Sequence, residues 1–377
     1  MTRRRENARI PRRARLRYGR RRLIAGIGLL AVLVASIDAV VGFASGQGAS
    51  LPRPRGGGSD FVAAVTPAKS ASKLMRTRRV LAGVAVGKWV ALPDARLARS
   101  EVSAAVVDGY AYVVGGFGAD ARSSAAVERL DLRTGTWTIG VPLPRALNHM
   151  SAVGYRHSLY VVGGYSQPTD TSAGAVRDFW RFDPRSRRWT QMPRAPIARA
   201  AAGAAVLGHR LHVAGGRNDA AATISTTAIF DFDTGRWSIG PPLHHAREHV
   251  AAVAADGAVW LLGGRALGQG NFADVERLRP GSHAWQRMAA MPIPRSSFQA
   301  VEVMGSIVVV GGEGPSGTIG RVDELDPRTG RWIRLADLAT PRHGLGVVAD
   351  GSLVYAIEGG PHAGLTTSRV VERLRVP

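Results

Sequence analysis

The chain has 377 residues, 45% of them apolar, no cysteine and a formal charge of +22. That apolar fraction is enough for a sizeable core, and the lack of thiols excludes a disulfide framework, a thiolate metal site and a cysteine nucleophile. The charge argues against a nucleic-acid partner: residues 1–50 carry 11 arginines against Glu6 and Asp38, residues 51–88 carry +7, only +6 remains for residues 89–377, and no recognisable motif presents the cations on one element.

In chain order, the basic residues 1–22 precede an apolar run of 15 residues, Leu23 to Ile37, the layout of an export signal. Gly42 and Ala44 suit cleavage after Ala44, so residues 1–44 are read as an export signal or membrane anchor. Arg20 and Arg21, followed by Arg22, Leu23 and Ile24, resemble the twin-arginine export signal. A general secretion signal shares the layout, and an apolar region extended to Leu23–Ala44 has the length of an uncleaved anchor in the inner membrane. All three readings place the body in the periplasm or outside the cell. Residues 45–87 read as a basic Gly/Pro/Ser-rich linker, with Leu74, Arg78 and Leu81 at the spacing of a short helix or else part of a disordered tether.

From Trp89 onward the chain repeats. Glycine pairs stand at Gly115–Gly116, Gly163–Gly164, Gly215–Gly216, Gly263–Gly264, Gly311–Gly312 and Gly359–Gly360, at steps of 48, 52, 48, 48 and 48 residues. Trp89, Trp137, Trp189, Trp237 and Trp285 each precede the next pair by 26 residues, and Trp332 does so by 27. Such a period, with paired glycines and a spaced tryptophan, resembles the Kelch repeat, a propeller blade of four antiparallel strands. The resemblance covers residues 88–377 and implies an all-β, six-bladed Kelch-type β-propeller. In one unit, "HMSAVGYRHSLYVVGG" supplies two strands about the turn Tyr155–Ser158, "VRDFWRFD" the third and "RRWTQM" the fourth. Turns such as "DLRTGTW" and "DPRTGRW" combine an Asp that accepts backbone N–H bonds with a Gly free to take positive φ. The chain opens on a lone fourth-type strand around Trp89 and stops after a third strand, so residues 88–92 are expected to pair with 369–375 and close the last blade. One departure is that a Tyr usually ends the third strand, where this chain has Leu130, Phe182, Phe230, Leu278, Leu325 and Leu374.

Propeller ligands usually meet one end of the central channel. Ahead of the innermost strands stand Arg99, Arg199, Arg247, Arg295 and Arg342, with Leu147 in the second blade; two residues on lie Glu101, His149, Ala201, His249, Ser297 and Gly344. After the glycine pairs come Phe117, Tyr165, Arg217, Arg265, Glu313 and Pro361. Carboxylates (Glu101, Glu313), imidazoles (His149, His249), guanidiniums (Arg217, Arg265) and aromatic faces (Phe117, Tyr165) together suit a sugar or small anion. The recurrent arginines are read instead as holding loop carbonyls, and Glu358 as a rim residue near the ring closure. His244, His245 and His249 show no third ligand at strand or helix spacing, so neither a metal nor another cofactor is expected. The resemblance implies a monomeric binding or scaffolding module that meets a protein partner or small carbohydrate. Its enzymatic alternative is a cofactor-independent sugar mutarotase, with Glu101, Glu313, His149 and His249 as acid/base candidates. A copper radical oxidase of the galactose-oxidase type is excluded, because its cofactor requires a cysteine.

Overall fold

The computed structural model describes residues 87–166 and 174–377. The signal or anchor expected over residues 1–44, the linker of 45–87 up to residue 86, and the tip of the longest loop, 167–173, lie outside the described residues. Among the described residues no helix is long and apolar enough to cross a membrane.

Six four-stranded antiparallel sheets follow one another as the blades of a propeller. In the second blade the strands are Ser151–Tyr155, Ser158–Val162, Phe179–Asp183 and Arg188–Gln191, with Tyr155 facing Ser158 across the turn. First strands are built from small residues, as in Ser103–Val107 and Ala251–Ala255, and alternate between buried and half-buried because one face lines the central channel. Second strands, such as Ala258–Leu262, are buried along their whole length between neighbouring blades, and their sequences are unbroken apolar runs. The chain ends meet as expected: Trp89–Ala91 pairs with Val371–Arg375, with Trp89 opposite Leu374, and completes the sixth blade.

The paired glycines sit where blades touch. Gly163 and Gly164 have φ of 68° and 101°, and a Cβ on Gly163 would lie 2.3 Å from the Arg199 carbonyl oxygen of the next blade. The Gly164 N–H donates to that same oxygen at 2.9 Å. Equivalent bonds run from Gly116 to Leu147, Gly216 to Arg247, Gly264 to Arg295, Gly312 to Arg342 and Gly359 to Arg99, so the stitch passes right round the ring. In the sixth blade the left-handed pair is Glu358 (φ 57°) and Gly359 (φ 94°), not Gly359–Gly360. Gly360 instead bridges His343 as Glu313 bridges Ser296, which makes Gly360, rather than Pro361, the residue after the pair. With this correction Trp332 also stands 26 residues before its pair.

The tryptophans of the fourth strands tie each blade to the one before it. Indole N–H groups donate to backbone carbonyls of the preceding blade: Trp89 to Ala336 at 2.9 Å, Trp137 to Pro93 at 3.1 Å, Trp189 to Val141 at 3.2 Å, Trp237 to Pro193 at 2.7 Å, Trp285 to Pro241 at 3.1 Å and Trp332 to Ala289 at 3.4 Å. Opposite them on the third strands lie Leu130, Phe182, Phe230, Leu325 and Leu374, so an apolar packing partner stands where the tyrosine was expected.

The recurrent arginines are buried inside the blades and bind carbonyls and third-strand acids. Arg342 donates to Glu358 O at 2.9 Å and Glu372 Oε2 at 2.6 Å, Arg247 reaches Glu276 Oε1 at 2.6 Å, and Arg295 pairs with Asp323. Arg99 is shared between two carboxylates, Glu128 at 3.1 Å and Glu358 at 2.9 Å. Glu358 is therefore neither a rim residue nor a channel acid: it is wholly buried at the junction of the first and last blades. Burial pushes its carboxyl up to about 8, with Arg99 opposing the rise and Glu128 adding to it. A folded-state value above the ordinary 4.5 means that the stabilising contribution of the protonated group is complete below about 4.5 and is lost as pH rises through about 8. Thermal melts from about pH 5 to about pH 9 should show the wild type losing stability relative to Glu358→Gln; a difference in Tm that does not change with pH would refute the assignment.

Candidate functional site

Six residues, one from each blade, form the narrowest part of the loop-bearing end. Glu101, His149, Ala201, His249, Ser297 and Gly344 all have φ between 51° and 56°. The left-handed turn is what redirects the chain from the mouth down into the channel strand. His149 N–H donates to Glu101 O at 3.1 Å, Ala201 to His149 O at 2.8 Å, His249 to Ala201 O at 2.7 Å, Ser297 to His249 O at 3.2 Å and Gly344 to Ser297 O at 2.8 Å. Val102 N–H closes the circle on Gly344 O at 3.3 Å. Below this backbone ring lies a channel of about 320 Å³ lined by the first strands; above it opens a bowl of about 240 Å³.

The bowl brings together side chains from all six blades. Arg265 is gripped between Glu248, Nε to Oε1 at 3.2 Å, and Glu313, NH1 to Oε1 at 2.5 Å. Ser297 Oγ donates to Glu313 Oε1 at 2.9 Å, and Arg217 Nε donates to Ala221 O at 2.9 Å while standing 3.9 Å from Glu248 Oε2. Glu101 lies between two imidazoles, 3.2 Å from His149 Nε2 and 3.1 Å from His343 Nδ1. His343 Nε2 meets His362 O at 3.0 Å. The His149 ring contacts His249 at 4.8 Å between centroids and Tyr165 at 5.5 Å, both edge to face.

Burial alone would raise the Glu101 carboxyl, but the His149 charge and the His343 hydrogen bond outweigh it and hold the group well below the usual carboxylate range. The same contest at Glu248, with His249 and Arg265 opposing burial, pushes it down to about 2. For His343, burial disfavours the charge, yet the Glu101 hydrogen bond and the Glu101 and Glu313 carboxylates push it up to about 9. At neutral pH the bowl thus holds a fixed set of alternating charges.

Of the residues singled out from sequence, Glu101, His149, Tyr165, Arg217, His249, Arg265 and Glu313 line the bowl, and Ser297 lines the throat beneath. Phe117 does not present a stacking face: it is 1% exposed and packs edge-on against His149 at 5.8 Å. His244 and His245 do not join His249; they bind Glu276 at 2.6 Å and Asp274 at 3.3 Å. Instead Glu101, His149 and His249 have donor atoms within 4.8 Å of one another and are the metal-capable group among the described residues. Glu248 and His343 were missed. They directly follow Arg247 and Arg342, in a position that holds Ser100, Asn148 and Ser296 in other blades, and a polar residue in five repeats of six was the available signal.

Residues 88–245 match the KLHDC2/KLHL20/DRC7 Kelch-repeats domain. The chain is 28% identical over 314 residues to Kelch-like protein terF of Aspergillus terreus, a match covering 77% of this chain and 68% of that protein. It is 28% identical over 237 residues to alpha-scruin of Limulus polyphemus and 26% identical over 227 residues to Kelch-like protein 25 of Xenopus tropicalis, spanning 26% and 37% of those longer proteins.

Removing the central cation tests the charge set. Arg265→Met leaves Glu248 and Glu313 without their shared counter-ion and should cost about 1–2 kcal/mol in denaturant unfolding, a figure reduced for partial solvent screening. Adding Glu248→Gln should recover part of that loss; strict additivity of the two changes would show that the residues are not coupled.

Proposed function

Because the chain is a Kelch-repeat β-propeller, we propose that it works as a binding or scaffolding module outside the cytoplasm, and that the loop-bearing bowl is the surface that meets a protein partner. One observation carries the reading. Positions that recur from blade to blade, the left-handed pairs, the tryptophans and the buried arginines, are occupied in holding the ring together, whereas the blades diverge in charge where they converge on the bowl. A repeat scaffold gains specificity by varying one face while its interfaces stay alike.

The fixed charges favour recognition over acid/base chemistry. General acid/base work at neutral pH calls for groups that titrate near 7, whereas Glu248 lies at about 2 and His343 at about 9. A bowl whose ions are already paired is preorganised for a partner of complementary charge. The basic, apolar and small-residue order of residues 1–44 supports export.

Two measurements test the reading. Capture of cell-envelope proteins by the full chain should be lost in Arg217→Glu and kept in Arg156→Glu, which lies on a turn between first and second strands, at the other end of the channel. Equal capture by both variants, or saturable heat with a monosaccharide or sugar acid that is lost in Arg217→Glu, would replace a protein partner with another ligand. Changing Arg20 and Arg21 together to Lys should leave the chain in the cytoplasmic fraction; unaltered export would rule out the twin-arginine route.

A further inference from the structure

We propose that the throat of the bowl is a binding site for a divalent transition-metal ion, held by Glu101, His149 and His249 with coordination positions open toward the bowl. This does not depend on the class of partner proposed above.

The spacing fits. Glu101 Oε2 and His149 Nε2 are 3.2 Å apart, and two ligands at about 2.1 Å from one metal lie about 3.0–3.4 Å apart in octahedral or tetrahedral geometry. His249 completes a set whose donor atoms all fall within 4.8 Å. The three residues come from different blades, yet each belongs to the left-handed backbone ring, so hydrogen bonds of the main chain, and not loop packing, set the separations.

The surroundings resemble the outer shell of a metal site. His149 Nδ1 is 2.5 Å from Asn148 Oδ1, which makes Nδ1 the protonated nitrogen and turns the Nε2 lone pair toward Glu101. Asn148 is itself wholly buried and is held by Ser123 Oγ at 2.7 Å, so the ring cannot readily turn. His249 is more than nine-tenths buried, and its Nδ1 has no hydrogen-bond partner; neither has the buried Glu248 Oε2 beside it. Orphaned polar atoms in a buried cluster are costly unless something occupies the space between them.

The nearby cations do not forbid a metal. Arg265 is neutralised by Glu248 and Glu313, and His343 engages Glu101 Oε1, leaving Oε2 on the side of His149. Two imidazoles and one carboxylate, without a thiolate, suit zinc, iron(II), manganese or nickel better than calcium or magnesium.

The test is calorimetric titration of Zn²⁺ into the metal-free full chain, with Co²⁺ absorption as a second readout. One ion per chain is expected, with affinity falling at least about tenfold in His249→Ala and in Glu101→Ser, and the Co²⁺ bands lost in both. The ring already carries an alanine at Ala201 and a serine at Ser297 in the same backbone conformation, and unchanged circular dichroism of the metal-free variants would show that they fold. His209→Ala, which removes an exposed imidazole near Asp233, should bind as the wild type does. Failure of the wild type to bind either ion saturably, or binding lost in His209→Ala and kept in His249→Ala and Glu101→Ser, would overturn the proposal.

Discussion

Every blade is held to the next by one main-chain hydrogen bond, from the second residue of a left-handed pair to the carbonyl that opens the following blade. The bond requires two backbones to approach so closely that a Cβ on the first residue of the pair would overlap the carbonyl oxygen. That requirement explains why a buried, apolar strand ends in two glycines. It also sets the place of everything downstream, because the residue after each pair stands on the bowl and the residue it bridges leads into the throat.

Around this stitch the blades reach the same mechanical end by different means. In the first, fourth, fifth and sixth blades a buried arginine meets a third-strand acid. The second blade has Leu147 in place of the arginine and Trp180 at the position of the acid, a replacement of both partners that leaves no orphaned charge. The third keeps Arg199 but has Ala228 opposite, and the guanidinium is satisfied by the carbonyls of Val213, Gly215 and Thr226. Burial lowers Arg199 to about 10, still well above neutrality, so it remains charged there. In the sixth blade Glu358 takes the place of a glycine and loads Arg99 with a second carboxylate.

The mouth follows a different logic. Its backbone is nearly six-fold, but its side chains are not: His, Glu and Ser alternate with Ala and Gly in the ring, and Arg, Glu and Tyr stand above it. The symmetric frame supplies rigidity at little cost in ordering, and the asymmetric lining gives one orientation of charge. Binding at such a surface needs no reorganisation of the ring.

The sequence by itself determined the blade. Period, paired glycines, tryptophans and Asp-Gly turns are local signals that repeat six times, and the lone strand at Trp89 announced how the ring closes because a missing fourth strand must come from somewhere. It also brought Glu101, His149, His249, Arg265 and Glu313 to one end, since blade position alone assigns an end of the channel. What it did not determine was who pairs with whom. Glu101 meets His343 across 242 residues and Arg99 meets Glu358 across 259, contacts that exist only after the ring has closed. Phe117 read as an aromatic platform because its position recurs, but its side chain turns behind His149, and Glu358 read as a rim acid because a one-residue shift in the sixth blade cannot be seen without φ. Register along a strand is written in local pattern, whereas the direction of a side chain and the partner of a buried charge are decided by what the other blades leave in reach.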